Sequence, residues 1–502
     1  AAGKETIQFY VQKPQGFLGK PSRELIRFAK TELLEPGEGE SGILAIDFYA
    51  LSSYDDSGIT GHAFCYVLEE GTYTILAGTN VRNAKEIGSF ALTETVVLEE
   101  LSQQLAPRRY LERMTPKTNE DGTLVPIIQA APVYLQHYSE DTCPQCADYT
   151  GDKGYKLDDV KRGIVSMDEF LAQLSDLDLC HIVKGEGMSS PKVTPGTAAA
   201  FGGLTPNLTY FGIPAGCCTD GPSGLRMDCG TNAFSLPGGT LLACTFNTSL
   251  NADLFEMEGI EMRNNHIESL LGPGMNIHRC PLNGRNFEYY SEDSVLAGYI
   301  GASSIAGAQS YGVYAYMKHF ALNDQQINQS EMLCTWADEQ AIREIYLRPF
   351  EISAKVGGCK AVMSSWNYIG NQWAGACNAL LNGVLRGEWG FRGMVITDGF
   401  HFTDYMDSDI AIRNGCDLML KNYDVATNHL TDTTSATSVK AMRQACKNIM
   451  YTVVNSRVYD PANTVSTPIW RTAMIVVDVL LAVLLVVLEV LTFKSYKKKK
   501  AQ

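Results

Sequence analysis

The chain is 502 residues long, 45% hydrophobic and 19% charged, with 45 Gly and 19 Pro. That length suggests two to four domains with cores of normal size, and the composition excludes collagenous, mucin-like and wholly disordered readings. The net charge is −15, but the segment from Trp470 onward carries +4, which leaves −19 on everything before it; a body this acidic is a poor candidate for holding nucleic acid through phosphate contacts, and a neutral or small substrate fits better.

Residues 1–105 read as a small β domain. Short apolar runs (Ile7 to Val11, Ile43 to Leu51, Tyr73 to Ala77) are separated by turn signals such as Pro36-Gly37-Glu38, a spacing that predicts a β-sandwich. Glu69-Glu70-Gly71, between Tyr66-Val-Leu and Thr72-Tyr-Thr-Ile-Leu, predicts a hairpin. The chain opens directly on strand-like sequence with no secretory signal, so a fragment or a processed product is expected, with the first strands of the domain missing. Residues 106–160 are mixed and polar and predict a linker that wraps over a neighbouring domain. It holds an isolated Cys143-Pro-Gln-Cys146. The 14 Cys follow no repeating spacing, so reduced, mostly buried cysteines are expected. A zinc or redox centre would call for a second pair, and no metal or cofactor is expected.

Residues 161–460 change character. Ser166-Met-Asp-Glu169 is a capping box, followed at helical spacing by Met167, Phe170, Leu171 and Leu174, so a helix is predicted to start near Met167. Apolar runs then recur, each ending in a polar residue. Ile213 to Cys218 leads to Asp220, Leu241 to Thr245 to Asn247, and Leu270 to Met275 to Asn276 and His278. Val313 to Met317 leads to Lys318 and His319, Ala361 to Met363 to Ser364 and Asn367, Met394 to Thr397 to Asp398, and Leu418 to Leu420 to Lys421. Helix-like segments such as Ala337 to Val356 lie between them. Alternating strands and helices imply a mainly parallel sheet, and in a (β/α)8 barrel the catalytic groups sit at the C-terminal strand ends. The plainer alternative is that strand ends are polar because they meet solvent. Val439, Met442, Cys446, Ile449 and Val453 put one apolar face on a final helix.

Residues 461–471 read as an extended linker, and 472–493 as a transmembrane helix, long enough to cross a bilayer. Trp470 and Tyr496 flank it and Lys497 to Lys500 follow. Interfacial aromatics and basic residues of this kind predict a single-pass anchor, a basic cytoplasmic tail over 494–502 and a body outside the cell. Asp478 and Glu489 weigh against the anchor, although both lie near its ends. The alternative is a buried core helix, which would have no use for the lysine cluster.

Four stretches carry candidate chemistry. Asp398 ends Gly393-Met-Val-Ile-Thr-Asp398 and is followed by Gly399, which leaves room for a ligand. A carboxylate held there can attack a sugar carbon that is developing oxocarbenium character; alternatively it is a helix N-cap. Lys318 and His319 can donate to vicinal hydroxyls, or be a surface lysine and a core histidine. Asp220, in Thr219-Asp-Gly-Pro-Ser-Gly-Leu-Arg226, can accept from two neighbouring hydroxyls, or cap an Asx-type turn. Arg285, in Asn283-Gly-Arg-Asn-Phe-Glu-Tyr-Tyr-Ser-Glu-Asp293, offers a forked donor to paired hydroxyls, or pairs structurally with Glu288, Glu292 or Asp293.

Together these stretches, with Lys318-His-Phe-Ala-Leu-Asn323 and Leu385-Arg-Gly-Glu-Trp-Gly-Phe-Arg-Gly393, occur in the order seen in family 3 glycoside hydrolases, mostly β-glucosidases and related exo-acting β-glycosidases. The resemblance covers roughly Tyr155 to Val458 as the family's TIM-like (β/α)8 barrel, and residues 1 to about 100 resemble the latter part of its fibronectin-III-like domain, in the permuted order that places this domain before the barrel. It implies that Asp398 is the catalytic nucleophile, and that Asp220, Arg226, Arg285, Lys318 and His319 belong to the substrate-binding set. Trp366 sits where many members carry Tyr beside the nucleophile. Ala321, Leu322 and Asn323 depart from the Lys-His-Phe-Pro-Gly-His pattern of the hexosaminidase branch. In β-glucosidase members the general acid/base is a Glu on a separate α/β-sandwich domain, which in the permuted order precedes the fibronectin-like one. This chain is therefore expected to supply one of the two carboxyls of a retaining mechanism, with a β-linked glucoside or oligosaccharide as substrate and that upstream domain as partner. The alternative is a carbohydrate-binding or scaffold fragment that keeps the pocket without turnover.

Overall fold

A computed structural model describes residues 1–134, 147–188, 190–399, 405–420, 430–457 and 469–500. Cys143 and Cys146 lie outside the described residues, as does Lys421. The chain divides into two compact units, Ala1–Tyr459 and Asp460–Gln502.

The first unit begins with a two-sheet sandwich. Strands β1 (Thr6–Gln12), β2 (Glu24–Lys30), β3 (Ser53–Asp55), β4 (Cys65–Leu68), β5 (Gly71–Gly78), β6 (Lys85–Leu92) and β7 (Val96–Glu100) form sheets in the orders β2-β1-β5-β6 and β3-β4-β7. Successive strand residues point to opposite faces. On β1, Val11 joins the sandwich's own core with Ile26, Leu51, Leu68 and Tyr73, while Tyr10 joins the large core that the rest of the unit builds. Phe28 extends this second contact by packing edge-on against Phe246 and Tyr299.

The hairpin expected at Glu69-Glu70-Gly71 is not one. β4 pairs with β3 and β7, whereas β5 pairs with β1 and β6, so this short link crosses from one sheet to the other. The cause is a buried anchor. The Glu69 carboxylate accepts the Phe17 N–H at 2.6 Å and pairs with Lys20 in the interior. Gly71 has φ +128°, and a Cβ there would come within 2.6 Å of Pro14.

A hairpin of β8 (Glu112–Thr118) and β9 (Leu124–Ala130) follows. Arg113 on β8 binds Asp56 of the sandwich at 2.7 Å and Asp338 of the following region at 3.1 Å. The capping box predicted at Ser166 is formed and opens the helix Met167–Ala172. A second box at Ser175 opens the helix Asp176–Lys184.

The remaining strands are β10 (Ala199–Gly202), β11 (Ala215–Asp220), β12 (Ser269–Leu271), β13 (Tyr314–Phe320), β14 (Cys334–Thr335), β15 (Ala361–Ser364), β16 (Tyr368–Ile369), β17 (Gln372–Trp373) and β18 (Met394–Ile396). Six of them form one sheet in the order β10-β11-β12-β13-β15-β18, parallel from β11 onward. The eight parallel strands expected are thus only partly realised. β10 runs antiparallel to β11, and the twelve residues that join them hold only the short helix Pro206–Tyr210. The ring continues through single contacts: a bridge from Ile396 to Leu418, the Met419 N–H to the Val183 carbonyl at 3.1 Å, and a bridge from Glu186 to Ala200. Leu241 to Thr245, read as a strand, belongs to the helix Gly239–Cys244. Adjacent Leu242 and Ala243 are both buried while Leu241 is exposed, a pattern of helical rather than alternating spacing.

The second unit is described by the helix Ile469–Lys500. Its segment Ala473–Lys497, in which the most apolar stretch reaches a mean hydropathy of 3.0, is long and apolar enough to cross a membrane.

Candidate active site

Three of the predicted strand ends converge. Asp220 ends β11, Lys318 and His319 lie near the end of β13, and Asp398 follows β18 by two residues. They line one pocket of about 210 Å³, together with Arg226, Arg285, Trp366, Asp228 and the apolar side chains of Met188, Leu271, Met363 and Leu420. All seven residues singled out from the sequence therefore face one space.

The Lys318 ammonium donates to Asp220 Oδ1 at 2.7 Å. Burial would raise the Asp220 carboxyl, but Lys318 overrides it and holds the group below its usual value, so Asp220 is ionised. Asp398 is the opposite case. Its Oδ1 accepts the Gly399 N–H at 2.7 Å, while Oδ2 is buried without a hydrogen-bond partner. Burial pushes its carboxyl up to about 6, against the pull of Arg285, the Gly399 N–H and Lys318. A carboxylate with one tethered and one free oxygen, facing cations across a small pocket, can act as a nucleophile or accept ligand hydroxyls.

His319 is wholly buried. Its backbone N–H donates to Asn276 Oδ1 at 2.7 Å, and Asn276 Nδ2 donates back to the His319 carbonyl at 2.9 Å. Its Nε2 lies 3.8 Å from Asp398 Oδ2. Burial, then Arg285 and Lys318, hold the imidazole neutral, well below its usual value. Arg285 pairs with Glu288, one of the structural partners the sequence offered, and still lines the pocket. Another, Asp293, instead caps the helix Ser294–Gln309. Trp366 Nε1 donates to the Gly399 carbonyl at 2.7 Å, bracing the backbone next to Asp398. Arg226 lies at the rim, 64% exposed, and donates to Asp228 at 3.0 Å.

Sequence reasoning missed Asp228, Met188, Ala198, Leu271, Met363 and Leu420 as lining residues. Met363 and Leu420 sit inside runs read as strand interiors, and Met188 and Asp228 come from irregular segments without periodicity. A larger cavity of about 560 Å³ lies at the seam between sandwich and barrel. Three of its cations are partnered, Lys13 with Glu24, Arg113 with Asp56 and Arg348 with Glu351, and among the described residues none of its lining carboxylates has a buried oxygen without a hydrogen-bond partner, the feature that distinguishes the smaller pocket. Among the described residues no cluster of three or more His, Cys, Asp or Glu could hold a metal ion.

Residues 152–458 match the Glycosyl hydrolase family 3 N terminal domain, and residues 5–81 match the Fibronectin type III-like domain. A beta-glucosidase of Ruminococcus albus is 48% identical over 402 residues, covering 79% of this chain and 42% of that protein. The crystal structure of a beta-glucosidase from Paenibacillus barengoltzii superimposes with a TM-score of 0.86 at 41% identity, over 93% of this chain and 52% of that one. Beta-glucosidase 3B from Thermotoga neapolitana, in complex with alpha-D-glucose, matches with a TM-score of 0.54 at 32% identity, over 61% of this chain and 44% of that one. The chain thus spans about half the length of these relatives.

Proposed function

The chain belongs to glycosyl hydrolase family 3, and from that premise we propose that it carries the sugar-binding and nucleophilic half of a retaining exo-β-glycosidase acting on terminal, non-reducing β-D-glucosyl residues. The observation that carries this reading is the Oδ2 of Asp398, buried without a hydrogen-bond partner on a residue that lines one pocket with Asp220, Lys318, His319 and Arg285. In the proposed reaction Asp220 accepts from two sugar hydroxyls, while Lys318, His319 and Arg285 donate to others. Trp366 and the apolar wall cover the flat face of the ring. Asp398 attacks the anomeric carbon, the aglycone leaves, and water releases the sugar from the glycosyl-enzyme. Asp398 must be ionised to attack, so its rise to about 6 makes the nucleophile weaker on the acid side.

The step also requires a proton donor for the leaving oxygen. Among the described residues the other carboxylates lining the pocket are Asp220 and Asp228, tied to Lys318 and Arg226. We assign the acid/base to a Glu on the α/β-sandwich domain that the resemblance places ahead of the fibronectin-like domain. The apolar helix would anchor the protein with Lys497 to Lys500 in the cytoplasm and the enzyme body outside.

The test is pre-steady-state hydrolysis of a dinitrophenyl β-glucoside, whose leaving group needs little protonation. A burst of phenol equal to the enzyme concentration is expected. Binding of glucose without any burst would favour the second reading, a carbohydrate-binding or scaffold protein, which the tying-up of Asp220 and Asp228 by cations supports.

A further inference from the structure

Tyr289 lies outside the pocket lining and is completely buried, yet its hydroxyl stands 3.1 Å from His319 Nδ1. On its other side Asn323 Nδ2 donates to the same hydroxyl at 3.3 Å. A phenol that accepts from Asn323 has its own proton left to donate, and Nδ1 is its acceptor. At the far side of the ring, Nε2 faces Asp398 Oδ2, a buried carboxylate oxygen with no hydrogen-bond partner. A bare Nε2 lone pair would be repelled there, whereas an Nε2–H is attracted. Two observations on opposite edges of the ring therefore select one tautomer. The 3.8 Å gap from Nε2 to Oδ2 is too long for a direct hydrogen bond, so the Nε2–H is still available to a ligand hydroxyl while its dipole faces the carboxylate.

We propose that Tyr289 is a positioning residue that locks neutral His319 as its Nε2–H tautomer, so that the imidazole always presents a donor to the bound sugar and to Asp398. A neutral histidine can otherwise present either a donor or an acceptor. In the wrong tautomer His319 would compete with Asp398 for the same ligand proton and turn a lone pair toward the carboxylate oxygen. Tyr289 itself touches no substrate and acts only through the ring it aligns. Its ring also lies beneath the Arg285 guanidinium, 5.7 Å from ring centroid to Cζ, so one buried phenol sets two members of the binding set. The role rests on the glycosidase reading, whereas the tautomer itself does not.

The experiment therefore reads both. In the full chain labelled with ¹⁵N-histidine, long-range ¹H–¹⁵N correlations assigned by a His319→Gln variant should show Nε2 protonated and Nδ1 bare. Tyr289→Phe should turn this into a mixture of tautomers, with about a tenfold fall in kcat/KM on the dinitrophenyl glucoside, the size expected for one buried hydrogen bond of about 1.4 kcal/mol. An Nδ1–H signal in the unmodified protein overturns the proposal whatever the activity. So does a Tyr289→Phe protein whose tautomer and kinetics both match the parent. The Nε2–H tautomer in a protein that never turns over the glucoside would support the lock and refute the glycosidase reading instead.

Discussion

Replacing Asp398 by Asn should make the protein inactive and, above neutral pH, more stable. Asn keeps an oxygen for the Gly399 N–H but removes the charge that burial penalises. A carboxyl moved from near 4 in the unfolded chain up to about 6 in the fold costs the folded state about 3 kcal/mol once ionised. The sign follows from proton counting. Between those two values the folded protein holds a proton that the unfolded chain has lost, so stability falls as pH rises through this window and stays lower above it. Below pH 4 both states are protonated and Asn gains nothing. The expected difference is therefore near zero at pH 4, grows to pH 6, and levels at about 3 kcal/mol by pH 8. For a body of this size that is a rise of about 3 °C in Tm, from an unfolding entropy of about 2 cal/mol/K per residue. Differential scanning calorimetry of both proteins across this range measures it. A Tm difference that is the same at pH 4 and pH 8, or a variant that is less stable at pH 8, would refute the claim that burial of the Asp398 charge outweighs the cations and the N–H around it.

Removing the cation in Lys318→Met should leave Asp220 without its 2.7 Å partner and lower kcat/KM by about a hundredfold, the worth of a hydrogen bond between charged groups; this is read from steady-state kinetics. Trp366→Phe loses the 2.7 Å bond to the Gly399 carbonyl, and about a tenfold fall in burst rate is expected, with glucose binding weakened less. Glu258 is fully buried on the helix Thr248–Asn264 with neither carboxyl oxygen hydrogen-bonded, so Glu258→Met should stabilise the fold by about 1–3 kcal/mol at pH 8 without changing kcat. Deleting residues 469–502 should move the protein from the membrane fraction to the supernatant in a flotation assay, and an unchanged distribution would count against the anchor.

The parts of the site legible in the sequence are those where one local rule suffices. An apolar run ending in a polar residue places Asp220, Lys318 with His319, and Asp398 at strand ends, and the parallel sheet brings those ends together. The same rule misreads Leu241 to Thr245, because a short apolar run cannot by itself distinguish a strand from the buried face of a helix. It also cannot anticipate that β10 turns back against β11, since an apolar run carries no information about strand direction. The crossing at Glu69 was hidden because its cause, the buried contact with Lys20, lies 49 residues away. Tyr289 escaped notice for a related reason. Within Asn283 to Asp293 it reads as one aromatic among several, and only the fold brings its hydroxyl to His319, 30 residues further on.

Incubating the full-length protein with a 2-fluoro-β-glucoside bearing a good leaving group, then mapping the modified peptide by mass spectrometry, asks whether this carboxylate attacks sugar. One fluoroglucosyl group on Asp398 per active molecule is the result expected. Attachment to any other carboxylate, or complete turnover-dependent inactivation with Asp398 unmodified, would contradict it.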